Sequence, residues 1–356
     1  GTSLPCEMDC RSMSLVADVR EVRLCLIGFG NVAQRFCEIA GERQADLADH
    51  HGIRLLVTAV ATARHGVLAD PVGISTREVL DRYRAAGHSF NPDQVETAQL
   101  IRDCGADVLI ESTPLEHGAA SATTHLENAF DAGLDVITVN KGPIAWRYQH
   151  VRDYARQRGR RLRFEGITMD GCPVYNLAEF CLPGDRVLSF RGVLNSTTNY
   201  VLDAMAEGAS FDEAISEAQA EGITETDPSF DIDGHDAAAK VAALSNVLLG
   251  LNITPDDVKK ESIKSLTPDD VTRVNYYGRR LRVVCSASRA DDGATAQASL
   301  EPLRTDDSLF GVSGTSSALI LNTELAGNVE ITERDGMVGQ TAYAIYADVL
   351  TLYGRG

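Results

Sequence analysis

The residues VRLCLI at 22–27 run directly into Gly28-Phe29-Gly30-Asn31-Val32-Ala33, and a helical apolar period follows over 31–40. A short apolar run broken only by Arg23 reads as a buried strand, so the junction is strand, glycine turn, helix. In a G-x-G-x-x-A string the first glycine permits the tight turn and the second lets backbone approach a pyrophosphate. The small third residue lets the helix pack on the sheet, and the helix N-terminus offers positive potential to an anion. Gly28, Phe29, Gly30, Asn31 and Val32 are therefore the expected dinucleotide loop. Such folds usually carry an acid after the second strand, for the ribose hydroxyls. Here that strand ends Ala61-Thr62-Ala63-Arg64-His65-Gly66. With no carboxylate in that string, and with Arg64 able to pair with a 2′-phosphate, NADP(H) is favoured over NAD(H).

The alternation continues. Segments at 54–61, 107–111, 135–139 and 161–164 read as strands, and 117–132 and 144–158 as helices between them. Strand–helix alternation of this kind predicts an α/β, Rossmann-type, doubly wound parallel sheet. The second half changes character: a strand at 186–194, helices at 198–206 and 211–220, and a helix from 234 to 249. Polar strands at 294–300 and 317–323 follow, then a helix over 341–353, which is an α+β pattern. Ser210 and Glu213 form a capping box at the helix that starts at 211. Residues 1–20 lack the basic-then-apolar order of a secretory signal and read as a disordered leader, with Met13 as a natural start.

The net charge of −18 excludes a phosphate-backbone partner, and no apolar run is long enough for a membrane helix. The eight scattered cysteines read as reduced, mostly buried thiols in a cytoplasmic protein. Only five of the 33 basic residues are lysines, and an acidic, lysine-poor surface suits a high-salt cytoplasm. Lysine placement is therefore informative, because a partly buried lysine can exchange a proton and an arginine cannot. Lys259, Lys260 and Lys264 fall in the charged string DDVKKESIK and read as surface. Lys141 ends the string Val139-Asn140-Lys141, at the carboxyl end of a strand, where open α/β sheets bind ligands. Lys240 lies four residues after Asp236, on one helical face. Alone that pair reads as an exposed salt bridge worth a few tenths of a kcal/mol. The acids Glu221, Glu225, Asp227, Asp231 and Asp233 just before it suit an amino-acid ammonium or a proton relay.

The strings GFGNVA at 28–33, ESTP at 111–114, VNKGP at 139–143 and NSTTNYVLDAM at 195–205 resemble the homoserine dehydrogenase family. So do EGITETDPSFDIDGHDAAAK at 221–240 and GMVGQTAYAIYADVL at 336–350. The resemblance implies NAD(P)-dependent interconversion of L-homoserine and L-aspartate 4-semialdehyde, in threonine and methionine biosynthesis. It implies Lys240 as proton donor, Lys141 as a second catalytic group, and substrate contacts from Glu225, Asp231, Asp236 and Thr197. Cofactor contacts would come from Thr113, Asn140, Lys141, Gly222, Glu225 and Gly339. The carbonyls of Glu165, Thr168, Asp170 and Cys172 match a loop that holds a sodium-type ion in some members. A homodimer is expected, in the short form lacking kinase and regulatory modules. The expected division is a nucleotide-binding domain at 21–160, a substrate-binding and dimerisation domain at 161–325, and a segment at 326–356 returning to the first. Ser196 and Ile223 stand where the family often has glycine and tyrosine, and the 165–172 loop has less glycine than is usual. Another amino-acid dehydrogenase of similar layout, or a catalytically silent dinucleotide sensor, are the rival readings.

Overall fold

In the computed structural model, which describes residues 19–91, 95–224, 227–290 and 293–355, the apolar runs become the centre of a six-stranded sheet. Its strands are β1 Arg20–Ile27, β2 Ile53–Ala61, β3 Val67–Ser75, β4 Val108–Glu111, β5 Asp135–Thr138 and β6 Leu162–Arg163. The order is β3-β2-β1-β4-β5-β6. Every neighbouring pair is parallel except β2 and β3, which run antiparallel. The expectation of a wholly parallel sheet is corrected at that edge. Asp70 and Pro71 lie inside β3 and Val72 is exposed. Proline lacks the N–H a central strand must donate, so it belongs on an edge, and the run has no clean alternation to announce a strand. The chain moves from β1 out to β2 and returns on the other side to β4. That reversal opens a crevice beyond the strands' carboxyl ends.

β4 and β5 and the second half of β1, Leu24–Ile27, are fully buried because both faces are covered. On one face the helix Asn31–Glu42 and the last helix, Val338–Tyr353, share a core: Phe36 and Ala40 with Ala342, Ile345 and Val349, against Leu24 and Leu26. The helices Ala120–Asp131 and Gly142–Gln157 bury Leu126, Phe130 and Val151 with Leu109 and Val136 of the other face.

A second six-stranded sheet comprises β7 Val187–Val193, β8 Lys259–Lys260, β9 Arg279–Ala290, β10 Gly293–Arg304, β11 Ser317–Thr323 and β12 Asn328–Glu333. It is ordered β12-β11-β7-β9-β10-β8 and antiparallel but for β8 beside β10. Against it lies His235–Leu248, whose Ala237, Ala238, Ala239, Val241, Ala242, Ala243 and Leu244 are all buried. A helix apolar on nearly every side is a central one, and its small side chains permit close packing. This helix and the turn after β5 carry the two singled-out lysines.

Candidate active site

β5 ends at Thr138, and the chain turns through Asn140 and Lys141 into Gly142–Gln157. The turn is tight: a Cβ on Gly142 would stand 2.7 Å from the Cβ of Ala119. Across the crevice, Gly234 in the left-handed region (φ 75°) opens His235–Leu248 and places Asp236 in its first turn. Lys141 Nζ donates to Asp236 Oδ1 at 2.8 Å, and Lys240 Nζ lies 3.3 Å from Asp236 Oδ2. Lys240 Nζ also donates to the carbonyl of Leu194 at 2.5 Å. Asn195 Nδ2 bridges Asp231 Oδ1 (2.8 Å) and Asp236 Oδ2 (3.0 Å), and Thr197 Oγ1 donates to Asp231 Oδ2 at 2.8 Å. The exposed-salt-bridge reading of Asp236 and Lys240 is thereby excluded: their side chains are 10% and 16% exposed.

Burial alone would raise the Asp236 carboxyl; the charges of Lys141 and Lys240 outweigh it and hold Asp236 well below the usual carboxylate range. Asp231 is pushed up, by burial first and then by the charge of Asp236. For Lys240 burial acts downward, but Asp236, Asp170 and Asp231 reverse it and hold the ammonium above its ordinary value. Burial thus does not make Lys240 a neutral amine, since three carboxylates face it and desolvation does not overcome them.

The glycine loop is built as its residues require. Gly28 has φ of 92°, and a Cβ there would stand 2.7 Å from the Ser112 carbonyl oxygen. At Gly30 a Cβ would meet nothing within 4 Å, and no side chain caps the helix it opens. An open, uncapped helix N-terminus behind a glycine turn fits a dinucleotide pyrophosphate. The ring of Phe29 is buried against Tyr83 and Phe90, which leaves only its backbone for a ligand. Gly28 N–H donates to Ala61 O at 2.9 Å, so the loop adjoins the end of β2. There Thr62, Arg64, His65, Ser89 and Thr97 line a cleft of about 790 Å³, and Arg64 is exposed. Glu96 also lines it, a carboxylate the 61–66 string did not contain.

Thr113 and Asn140 meet at the crevice, with Asn140 Nδ2 donating to Thr113 Oγ1 at 3.3 Å. Gly222 and Gly339 have open space where a Cβ would stand. Glu225 lies outside the described residues. A cleft of about 1180 Å³ lined by Arg161, Arg163, Tyr175 and Leu248 holds neither lysine.

In the 165–172 loop Asp170 adopts φ of 41°, its Oδ1 accepts from Thr341 Oγ1 at 2.9 Å, and the Cys172 carbonyl accepts from Val174 N–H at 2.9 Å. Among the described residues no three His, Cys, Asp or Glu side chains gather as a metal site. The carbonyl-held cation that the resemblance implies would need no such cluster. Glu333 Oε2 is buried with no hydrogen-bond partner among the described residues. With Asp170 Oδ2 it lies within 3.4 Å of the point where a Gly336 Cβ would stand. Burial first, then Asp170, pushes Glu333 up to about 7. Neither Glu333 nor the Asp170 side chain was visible in the sequence, because they meet only through the fold. Asn195 could have been suspected: it precedes two threonines and caps Ser196–Ala206 by accepting from Thr198 N–H at 2.8 Å.

The homoserine dehydrogenase family model matches residues 173–350, and the model of that enzyme's NAD binding domain matches 28–165. The chain belongs to the homoserine dehydrogenase family. It is 32% identical over 342 residues to the NAD(+)-dependent homoserine dehydrogenase of Pseudomonas canavaninivorans, covering 94% of this chain and 96% of that one. The homoserine dehydrogenase of Methanocaldococcus jannaschii is 32% identical over 338 residues, covering 93% and 98%. A solved hyperthermophilic archaeal homoserine dehydrogenase in complex with NADPH superposes with a TM-score of 0.78 at 26% identity, over 93% of this chain and 98% of that one. As a homoserine dehydrogenase, the chain is an oxidoreductase that uses a nicotinamide dinucleotide.

Proposed function

We propose that this homoserine dehydrogenase works through Lys240 as the proton carrier and Lys141 as the group that holds developing or carboxylate charge. The observation that carries the reading is Asp236, which binds both ammonium groups at the mouth of the crevice. The nicotinamide supplies or takes up the hydride at the substrate's terminal carbon. Lys240, protonated at neutral pH, gives its proton to the forming alkoxide in reduction and must first be neutral to accept one in oxidation. Asp231, oriented by Asn195 and Thr197, supplies the carboxylate that holds the α-ammonium. Lys141, held by Asp236 at 2.8 Å, stabilises the oxyanion. Gly28 to Val32 take the pyrophosphate, and Thr113, Asn140, Gly222 and Gly339 border the nicotinamide end. A sodium ion on the carbonyls of Glu165, Thr168, Asp170 and Cys172 would hold that loop beside Lys240 by charge alone.

NADP(H) is the preferred cofactor, a reading supported by exposed Arg64 in the cleft at the end of β2. Arg64→Ala is expected to lower kcat/KM for homoserine oxidation with NADP+ roughly tenfold or more, the scale of a lost charge-assisted hydrogen bond. The value with NAD+ should stay within about twofold. Equal losses with both cofactors, or a wild-type preference for NAD+, would overturn it.

The enzyme is placed in the cytoplasm, in keeping with free thiols at Cys25, Cys37, Cys104 and Cys285 inside the core. It is further read as a salt-adapted homodimer serving threonine and methionine synthesis. The exposed apolar Phe180 and Leu188 offer a surface a second copy would cover. Sedimentation and activity measured from low to multimolar KCl test both points. A dimer whose activity rises with salt is expected; a monomer sinks the first, and indifference to salt the second.

A further inference from the structure

We propose that Glu111 is a positioning residue for the reaction: its buried carboxylate sets the donor–acceptor sense of a hydrogen-bond chain that fixes the turns 112–114 and 140–142. The inference rests on the reading of those turns as the nicotinamide side of the site.

Glu111 ends β4 at the centre of the sheet, paired with Ile27 of β1 and Thr138 of β5. It is fully buried, an unusual place for a carboxylate unless its oxygens are saturated by donors. They are. Thr113 donates to Oε1 through both its N–H (3.1 Å) and its hydroxyl, and Thr138 Oγ1 donates to Oε2 at 3.1 Å. The imidazole of His125 stands behind, with Nδ1 3.8 Å from Oε1.

A carboxylate only accepts, and a threonine hydroxyl has one proton to give. Once Thr113 and Thr138 give theirs to Glu111, their hydroxyls offer only lone pairs to anything else. Both lone-pair sides face Asn140: its Nδ2 donates to Thr113 Oγ1 at 3.3 Å, and its backbone N–H donates to Thr138 Oγ1 at 3.1 Å. Asn140 is therefore held with its amide nitrogen toward Thr113 and the Pro114 carbonyl (3.3 Å). Its Oδ1 accepts from Gly142 N–H at 2.9 Å. Lys141 lies between those two anchored residues. The same strand end ties down the glycine loop, because Ser112 Oγ donates to the Gly28 carbonyl at 3.2 Å. The acceptor-only carboxylate thus anchors one end of this chain, and the Gly142 N–H and Pro114 carbonyl hold the Asn140 amide in the same sense at the other.

Glu111→Met keeps the bulk and removes both acceptors. It is expected to lower kcat for homoserine oxidation about tenfold or more, since sub-ångström errors in placement are felt at this scale. NADPH affinity should fall by a similar factor, with the affinity for ADP-ribose, which lacks the nicotinamide, unchanged. Glu111→Gln keeps one acceptor and lets Thr138 turn its proton to the Asn140 carbonyl, 3.3 Å away, so its losses should be smaller and follow the same pattern. If the methionine variant fails to fold, Glu111→Gln and Thr138→Val, which cuts one link while leaving the carboxylate, carry the test. A lower Tm with kcat and the ratio of NADPH to ADP-ribose affinity unchanged would overturn the proposal. Asn140→Ala separates the two layers. If it too leaves that ratio unchanged, the reading of these turns as the nicotinamide side fails; if it alone shifts the ratio, only the role of Glu111 fails.

Discussion

Lys240→Ala is expected to lower kcat roughly 10²- to 10⁴-fold in both directions, the range for loss of an acid–base group, while the protein stays folded. Asp236 keeps Lys141 at 2.8 Å in that variant, so no buried charge is left without a partner. The direction of the Lys240 shift adds a sharper test. A lysine held above its ordinary value by Asp236, Asp170 and Asp231 is an ammonium throughout the neutral range. It is therefore ready to donate in semialdehyde reduction and almost never ready to accept in homoserine oxidation. The wild-type oxidation rate should climb about tenfold per pH unit toward the alkaline range, with the reduction rate level over the same interval. Lys240→Ala should flatten the oxidation profile as well as lower it. Lys240→Arg should remain inactive, because an arginine keeps its proton at any working pH. A fully active arginine variant, or an oxidation rate independent of pH in wild type, would show that charge alone does the work. Rate–pH profiles of the three proteins in both directions decide it.

The parts legible in the sequence share one property: their signal is local. The strand–glycine–helix junction at 22–40 announces itself, because burial on both faces makes Leu24–Ile27 wholly apolar and phosphate geometry demands Gly28 and Gly30. Lys141 and Lys240 stand out because lysine is rare here. β3, β9 and β12 did not, for physical reasons that differ. β3 carries Asp70 and Pro71, which only an edge tolerates. β9 alternates Leu281, Val283, Cys285 and Ala287 into the core, but four of its residues are arginines, which mask the period. β12 fully buries only Ile331 and offers little apolar signal. In the site, the sequence suggested Asp236 and Lys240 as neighbours through helical spacing. It did not suggest that Lys141, 95 positions earlier, closes on the same carboxylate. Nor did it show that Asn195 would tie Asp231 to Asp236. Contacts of that kind are created where the turn after β5 and the segment after β7 meet the start of His235–Leu248, and no window of sequence contains them.

Asp236→Asn should harm stability more than either lysine substitution. The carboxylate stands between two ammonium groups, with its side chain 10% exposed. Asparagine preserves the shape and one acceptor but leaves Lys141 and Lys240 facing each other without a counter-charge. Breaking a buried pair from one side costs about 3–5 kcal/mol. Asp231 softens the loss. Burial and the charge of Asp236 now push its carboxyl up; with Asp236 neutral it ionises more readily and takes over part of the compensation. The lower end of that range is therefore expected. The pH dependence follows from the direction of the Asp236 shift. Its folded value lies below the unfolded value of about 3.9, so its contribution is complete above about pH 4 and disappears as pH falls through the folded value. The difference in Tm between wild type and Asp236→Asn should be constant from about pH 6 to 8 and shrink steadily below about 4. Thermal melts across that span test it. No difference at neutral pH would mean that the lysines do not depend on Asp236 for their burial. A difference that persisted in acid would mean that its charge is not what holds them.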